Sequence, residues 1–186
     1  MTTQTTIDIA LAILNSVVLG MNVSRANKLV IVYLIPPVVL MWVHVVGNAM
    51  QEQSVGPLWA RNHLHNLGVA SCMMLVGLWL VPYIMRRNAG LSWSAWRIKQ
   101  AGAVMTGVFA GWTLGTIVCG GYEVLMITIW REQTLAEGYS GSLDWIDMSA
   151  YAIAEAIMII NFLRVRPWVL KKAQARLDRP RGLGFY

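Results

Sequence analysis

Long apolar runs separated by basic clusters leave this chain few ways to fold. Lys and Arg residues concentrate in three places: Arg25 and Lys28; Arg86, Arg87, Arg97 and Lys99; and the stretch from Arg164 to Arg181. Only Arg61 and Arg131 lie elsewhere. The clusters follow every second apolar run. That is the pattern of a polytopic membrane protein whose basic connectors stay in the cytoplasm.

Composition supports this reading. The 186 residues are 56% apolar and 13% charged, where an average soluble domain has roughly 25% charged residues. A soluble core of this size has no room for so much apolar surface. The net charge of +6 is therefore expected to set orientation and to meet anionic headgroups, and nucleic acid is not an expected partner. Cys72 and Cys119 both fall inside predicted spans and do not suggest a disulfide framework. No basic stretch precedes the first apolar run, so no cleaved signal peptide is expected. Trp42, Trp59, Trp93, Trp96, Trp130, Trp145 and Trp168 fall near predicted span ends, where an amphipathic ring prefers the headgroup layer.

The expected fold is all-α: one integral membrane domain over 1–186, built as a polytopic helical bundle. Four core spans are predicted at about 29–47, 64–85, 101–129 and 145–163, each long enough for a hydrocarbon core of ~30 Å. An N-terminal apolar helix at 7–23 is expected to form a fifth span. Its Asp8, Asn15 and Asn22 recur every seven residues as a polar line. Residues 164–186 form a basic cytoplasmic tail, with an interfacial helix from Trp168 to Asp178. The multi-pass protein is assigned to a cell membrane, a bacterial inner membrane, with its C-terminus in the cytoplasm.

Small residues mark the 101–129 span: Ala103, Gly107, Gly111, Gly115 and Cys119 recur every fourth position. Such a stripe lets another helix backbone approach closely. It does not say whether that helix belongs to this chain. In the 29–47 span, Pro36 and Pro37 should kink the helix and free carbonyls one turn earlier.

Polar residues gather toward the predicted outer side. His44, Asn48 and Glu52 recur every fourth residue, and His63 and His65 open the next span. Glu123 is the next step of the small-residue stripe. Asp147, Tyr151 and Glu155 share one face of the 145–163 span, with Glu155 about ten residues in. His44, His63 and His65 are candidate ligands for a metal, or for a haem iron between two helices. Glu123 and Glu155 are candidate proton-transfer residues. The alternative is a structural polar network joining His44, Glu123 and Glu155.

Two functions follow as expectations. The first is a small membrane subunit packing laterally into a larger complex, with respiratory, photosynthetic or oxidase assemblies as natural hosts. Gly107, Gly111 and Gly115 would then be packing residues, and the lipid bilayer and other membrane subunits the partners. The second is a small membrane enzyme or cofactor carrier using the His and Glu residues above.

Overall fold

The structure, a computed structural model, describes residues 3–25, 28–85, 90–128 and 145–178. They form helices and connecting turns, with no strand among them. Helix α1 is Thr3–Arg25 and α2 is Val30–Gln53. The third long element begins as α3, Leu58–His63. It tightens into two 3-10 stretches, Leu64–Leu67 and Val69–Met73, and continues as α4, Met74–Met85. Helix α5 is Trp93–Thr128. The last element is α6, Trp145–Ile160, then a π-helical stretch Asn161–Val165, then α7, Arg166–Leu177. The loop over 131–144, with Glu132, Glu137 and Asp144, lies outside the described residues, as does the chain from 179 onward.

Five of these long elements are apolar and long enough to cross a membrane, so the chain has the make-up of a multi-pass membrane protein. The N-terminal helix is one of them, over Thr5–Asn22. Its polar line turns inward, with Asp8 and Asn15 both buried. Cross-contacts pair successive elements antiparallel. Asp8 meets Asn48 and Thr5 meets Glu52, while Gly47 meets His65 and Gly68 meets Leu40. Gly77 meets Gly107, and Glu155 meets Thr113.

The glycine stripe is consumed within the chain. A Cβ on Gly111 would sit 2.6 Å from the Met73 carbonyl oxygen and 2.8 Å from Met74 Cα. On Gly107 it would sit 2.8 Å from the Gly77 oxygen, and on Gly115 2.8 Å from Ala70 Cα. Side chains do not fit there, so α4 and the turn before it lie backbone to backbone on α5. Close approach of this kind is what holds helices together where lipid removes the hydrophobic drive. Beside the seam, Met74, Met105, Val108 and Trp112 are fully buried. Trp112 is thus a core residue, unlike the exposed Trp59 and Trp93.

Prolines in α2 create a second fixed point. Pro37 has no N–H, so the Tyr33 carbonyl lacks its usual helical donor. Asn161 supplies one: its Nδ2 donates to the Tyr33 oxygen at 2.7 Å. The Tyr33 hydroxyl in turn donates to the Met105 carbonyl at 3.0 Å. Three elements are pinned through one buried tyrosine. Asn161 opens the π-helical stretch, where Phe162 stacks on Phe109 at 4.3 Å. A neighbouring element thus satisfies the Tyr33 carbonyl, as a bilayer setting requires.

Two boundaries differ from expectation. Helix α5 starts at Trp93 and its 36 residues reach ~54 Å at ~1.5 Å each, well beyond a ~30 Å core. The basic segment expected as a separate interfacial helix instead continues α6 without a break in helical backbone. Val169 and Ala173 are buried, and Arg166 and Leu170 lie over Gly102 of α5. The early turns of α5 give α7 a protein surface for Val169, Leu170 and Ala173, while Trp168 and Leu177 stay exposed.

Gly111→Leu is expected to destabilise the fold by at least ~1–3 kcal/mol, the cost of overpacking a close-packed interior. Gly20→Leu, which meets nothing within 4 Å, should leave the detergent melting temperature unchanged. Asn161→Leu should cost ~1–3 kcal/mol, because the Tyr33 carbonyl loses its donor. Thermal unfolding of the three variants in one detergent checks both statements.

Candidate functional site: polar clusters at one end of the bundle

Two glycines build the first cluster. A Cβ on Gly47 would sit 2.9 Å from His65 Cα, and one on Gly68 2.8 Å from His44 Cβ. The 3-10 turns therefore press directly on α2 and bring His44 and His65 together, with ring centroids 6.5 Å apart. His44 Nδ1 lies 2.8 Å from the His65 carbonyl oxygen. A carbonyl only accepts, so the ring hydrogen sits on Nδ1 and Nε2 is left as acceptor. Asn48 Nδ2 fits that assignment, donating to His44 Nε2 at 3.2 Å and to Asp8 Oδ2 at 2.7 Å. Asp8 Oδ1 stands 3.8 Å from His44 Nε2. Asp8, buried on α1, is thereby tied to α2.

A second cluster joins α6 to α3 and the first 3-10 turn. Asp147 Oδ1 accepts from His63 Nδ1 and from Asn66 Nδ2, both at 2.6 Å. Asp147 also lies in the first turn of α6, where the helix dipole favours negative charge. His65 sits between the clusters, within electrostatic reach of Asp8, His44, His63 and Asp147. Its Nδ1 is buried and has no hydrogen-bond partner among the described residues.

From Asp147 a line of polar groups descends the seam between α5 and α6. One turn on, the Tyr151 hydroxyl donates to Glu123 Oε1 at 2.8 Å. One turn further, Glu155 accepts from the Thr113 hydroxyl at 2.8 Å on Oε1 and the Thr116 hydroxyl at 2.9 Å on Oε2. Asp147, Tyr151 and Glu155 cover ~12 Å of helix. Carboxyls alternating with hydroxyls are groups that can hold and exchange protons.

All five candidate residues thus belong to two arrangements. His44, His63 and His65 lie at one end, His44 with Asp8 and His63 with Asp147. Glu123 and Glu155 lie down the α5–α6 seam. Among the described residues, hydrogen bonds tie His44 to Asn48 and the His65 carbonyl, Glu123 to Tyr151, and Glu155 to Thr113 and Thr116. Among the described residues no group of three or more His, Cys, Asp or Glu side chains is placed to hold a metal ion. Both ring nitrogens of His44 lie within hydrogen-bond distance of protein atoms, the His65 carbonyl oxygen and Asn48 Nδ2.

Sequence reading missed Thr113 and Thr116 as partners of Glu155. Their signal was a hydroxyl pair three residues apart inside an apolar span, off the glycine stripe. It also missed Gly47 and Gly68, single glycines whose role appears only when two backbones meet.

Asn48→Leu removes the donor to both Asp8 and His44 and is expected to cost ~1–3 kcal/mol. The additional change Asp8→Leu should cost less in the Asn48→Leu background than in the wild type, because the bond between the two side chains is lost only once; a double-mutant cycle in thermal unfolding measures it.

Compared with known proteins, the chain matches no family model, and no curated protein and no solved structure matches it.

Proposed function

We propose that this chain is a small integral-membrane subunit that packs laterally against other membrane proteins through the face where α5 meets α6. The observation that carries this reading is Glu155. Its carboxyl sits mid-span and is held by two threonines, yet Glu155, Thr113 and Thr116 are only half-buried by the chain itself. A carboxyl at that depth is costly against lipid. Beside it Ala152 and Ala156 are exposed, one turn apart, and Gly121 is exposed on α5. Small residues on that face let a partner helix come close enough to cover the carboxyl. The glycine stripe does not serve this purpose, since α4 occupies it.

The basic end is assigned to the cytoplasm of a cell membrane by its Lys and Arg content. The His-bearing end then faces outward. Respiratory, photosynthetic and oxidase assemblies are suitable hosts, because each gathers many small apolar subunits. A second reading, a membrane enzyme or cofactor carrier at the His-bearing end, draws support from His65 Nδ1, which is buried and has no hydrogen-bond partner among the described residues. The engaged nitrogens of His44 favour the first reading.

In native membranes solubilised mildly, the chain should run on native gels well above its own mass. Ala156→Leu should shift it toward the monomer with an unchanged melting temperature. A wild-type chain that runs alone removes the subunit reading. A tag between residues 87 and 97 is expected to be reachable only from the cytoplasmic side.

A further inference from the structure

The basic end of the bundle carries charge that the chain itself does not answer. Of the nine Asp and Glu residues, only Asp178 falls within a basic cluster. It lies ~18 Å beyond Arg166 along α7 and accepts from Gln174 Nε2 at 2.8 Å. The others sit at the His-bearing end, in the α5–α6 seam or in the 131–144 loop.

Two cations at the basic end share one groove. Lys99, Gly102 and Thr106 lie along one face of α5. With Arg166 and Leu170 of α7 and Ile84 of α4 they line a cavity of about 260 Å³. Gly102 keeps its floor open. A Cβ there would meet Leu170 Cδ2 at 3.7 Å and Arg166 Nη2 at 3.8 Å, so the guanidinium lies over bare backbone. Phe162 holds it in place: Arg166 Cζ stands 5.0 Å from the ring centroid, a cation–π contact, and Phe162 is itself stacked on Phe109. Among the described residues neither Arg166 nor Lys99 is ion-paired, and Arg166 Nε is buried with no hydrogen-bond partner. Both side chains are half-buried. Two like charges lining one half-enclosed space repel, so the groove favours an anion.

The groove also stands at headgroup height. Exposed Trp93 and Trp168 lie near it on α5 and α7, and amphipathic rings of this kind mark the membrane–water boundary. Beside the two charges its walls are apolar, and Ile84 is exposed on the last turn of α4. An anion joined to hydrocarbon is the make-up of a phospholipid. The cavity of about 260 Å³ is smaller than the ~300–1,000 Å³ of drug-sized sites, so it takes a headgroup and leaves the acyl chains outside.

We propose that the groove between α5 and α7 binds one anionic phospholipid, its phosphate set between Lys99 and Arg166 and its acyl chains running out past Ile84. The guanidinium presents parallel N–H donors to two phosphate oxygens, and Lys99 adds a point charge. Basic pockets between membrane helices take acidic headgroups in this way. The lipid bridges the early turns of α5 to the last element of the fold. The inference stands apart from the subunit reading: a chain that runs alone on native gels can still carry it.

The test uses the full chain in detergent at ~0.5 M salt, where the Debye length is ~4 Å and exposed charges act only at close range. Dioleoylphosphatidylglycerol is titrated in as probe while thermal unfolding is followed. The melting temperature should rise and saturate, and phosphorus analysis after detergent washing should find one lipid per chain. Dioleoylphosphatidylcholine and inorganic phosphate should give no rise. Arg166→Gln and Lys99→Gln should each raise the half-saturating lipid fraction roughly tenfold or more. Gly102→Leu, which keeps both charges and fills the floor, should do the same. Lys171→Gln removes an exposed cation on α7 that does not line the groove, and should leave that fraction unchanged. Each variant is measured against its own lipid-free melting temperature, so lost stability is not read as lost binding. An equal rise with phosphatidylcholine overturns the preference for an anionic lipid, and an equal rise with inorganic phosphate overturns the lipid. A Lys171→Gln variant weakened as much as Lys99→Gln reveals bulk charge attraction and overturns the site. No rise with any of the three probes overturns it as well, and leaves the groove to an acidic partner protein.

Discussion

The bundle is organised around direct backbone contact between α5 and the helix that precedes it. Gly77 on one side and Gly107, Gly111 and Gly115 on the other leave no side chain between the two main chains over more than two turns. In a bilayer, burial of apolar surface offers little reason for one helix to prefer another, so short-range packing decides. The other positions follow from this seam. It sets the depth of α4 against α5 and the height of Thr113 and Thr116 opposite α6.

Polar groups then complete what packing begins. Where Pro37 strips a donor from the Tyr33 carbonyl, Asn161 replaces it from another helix. Asn48 serves Asp8 and His44 at once with its two amide hydrogens. Each bond crosses between elements distant in sequence. A polar side chain within an apolar span has no water to fall back on, so its partner fixes rotation and register as well as contributing energy.

Much of this was legible in the residues themselves. The apolar runs, the glycine stripe and the Asp147–Tyr151–Glu155 face could be read because each rests on periodicity within one segment. The polar line of α1 was also visible, and its burial follows from the cost of turning Asp8 and Asn15 to lipid. Pairings between segments could not be read. Nothing local says that Gly47 faces His65, that Thr113 and Thr116 serve Glu155, or that α4 rather than another chain fills the stripe. The C-terminal segment shows a different limit. Its basic, amphipathic composition suits a lipid interface, and the long N-terminal reach of α5 offers a protein surface to part of its apolar side as well.

The tight winding between Leu64 and Met73 has a geometric consequence. Nine residues there are in 3-10 form, which rises about 2.0 Å per residue against about 1.5 Å in an α-helix. Rewound as α-helix, the stretch would shorten by ~4.5 Å and turn its side chains through a different angle. The height of the imidazoles above α4 is therefore a matter of pitch as much as of residue count. A local change of winding would move them along the bundle by several ångströms and would have to pull Ala70 and Met73 away from Gly115 and Gly111.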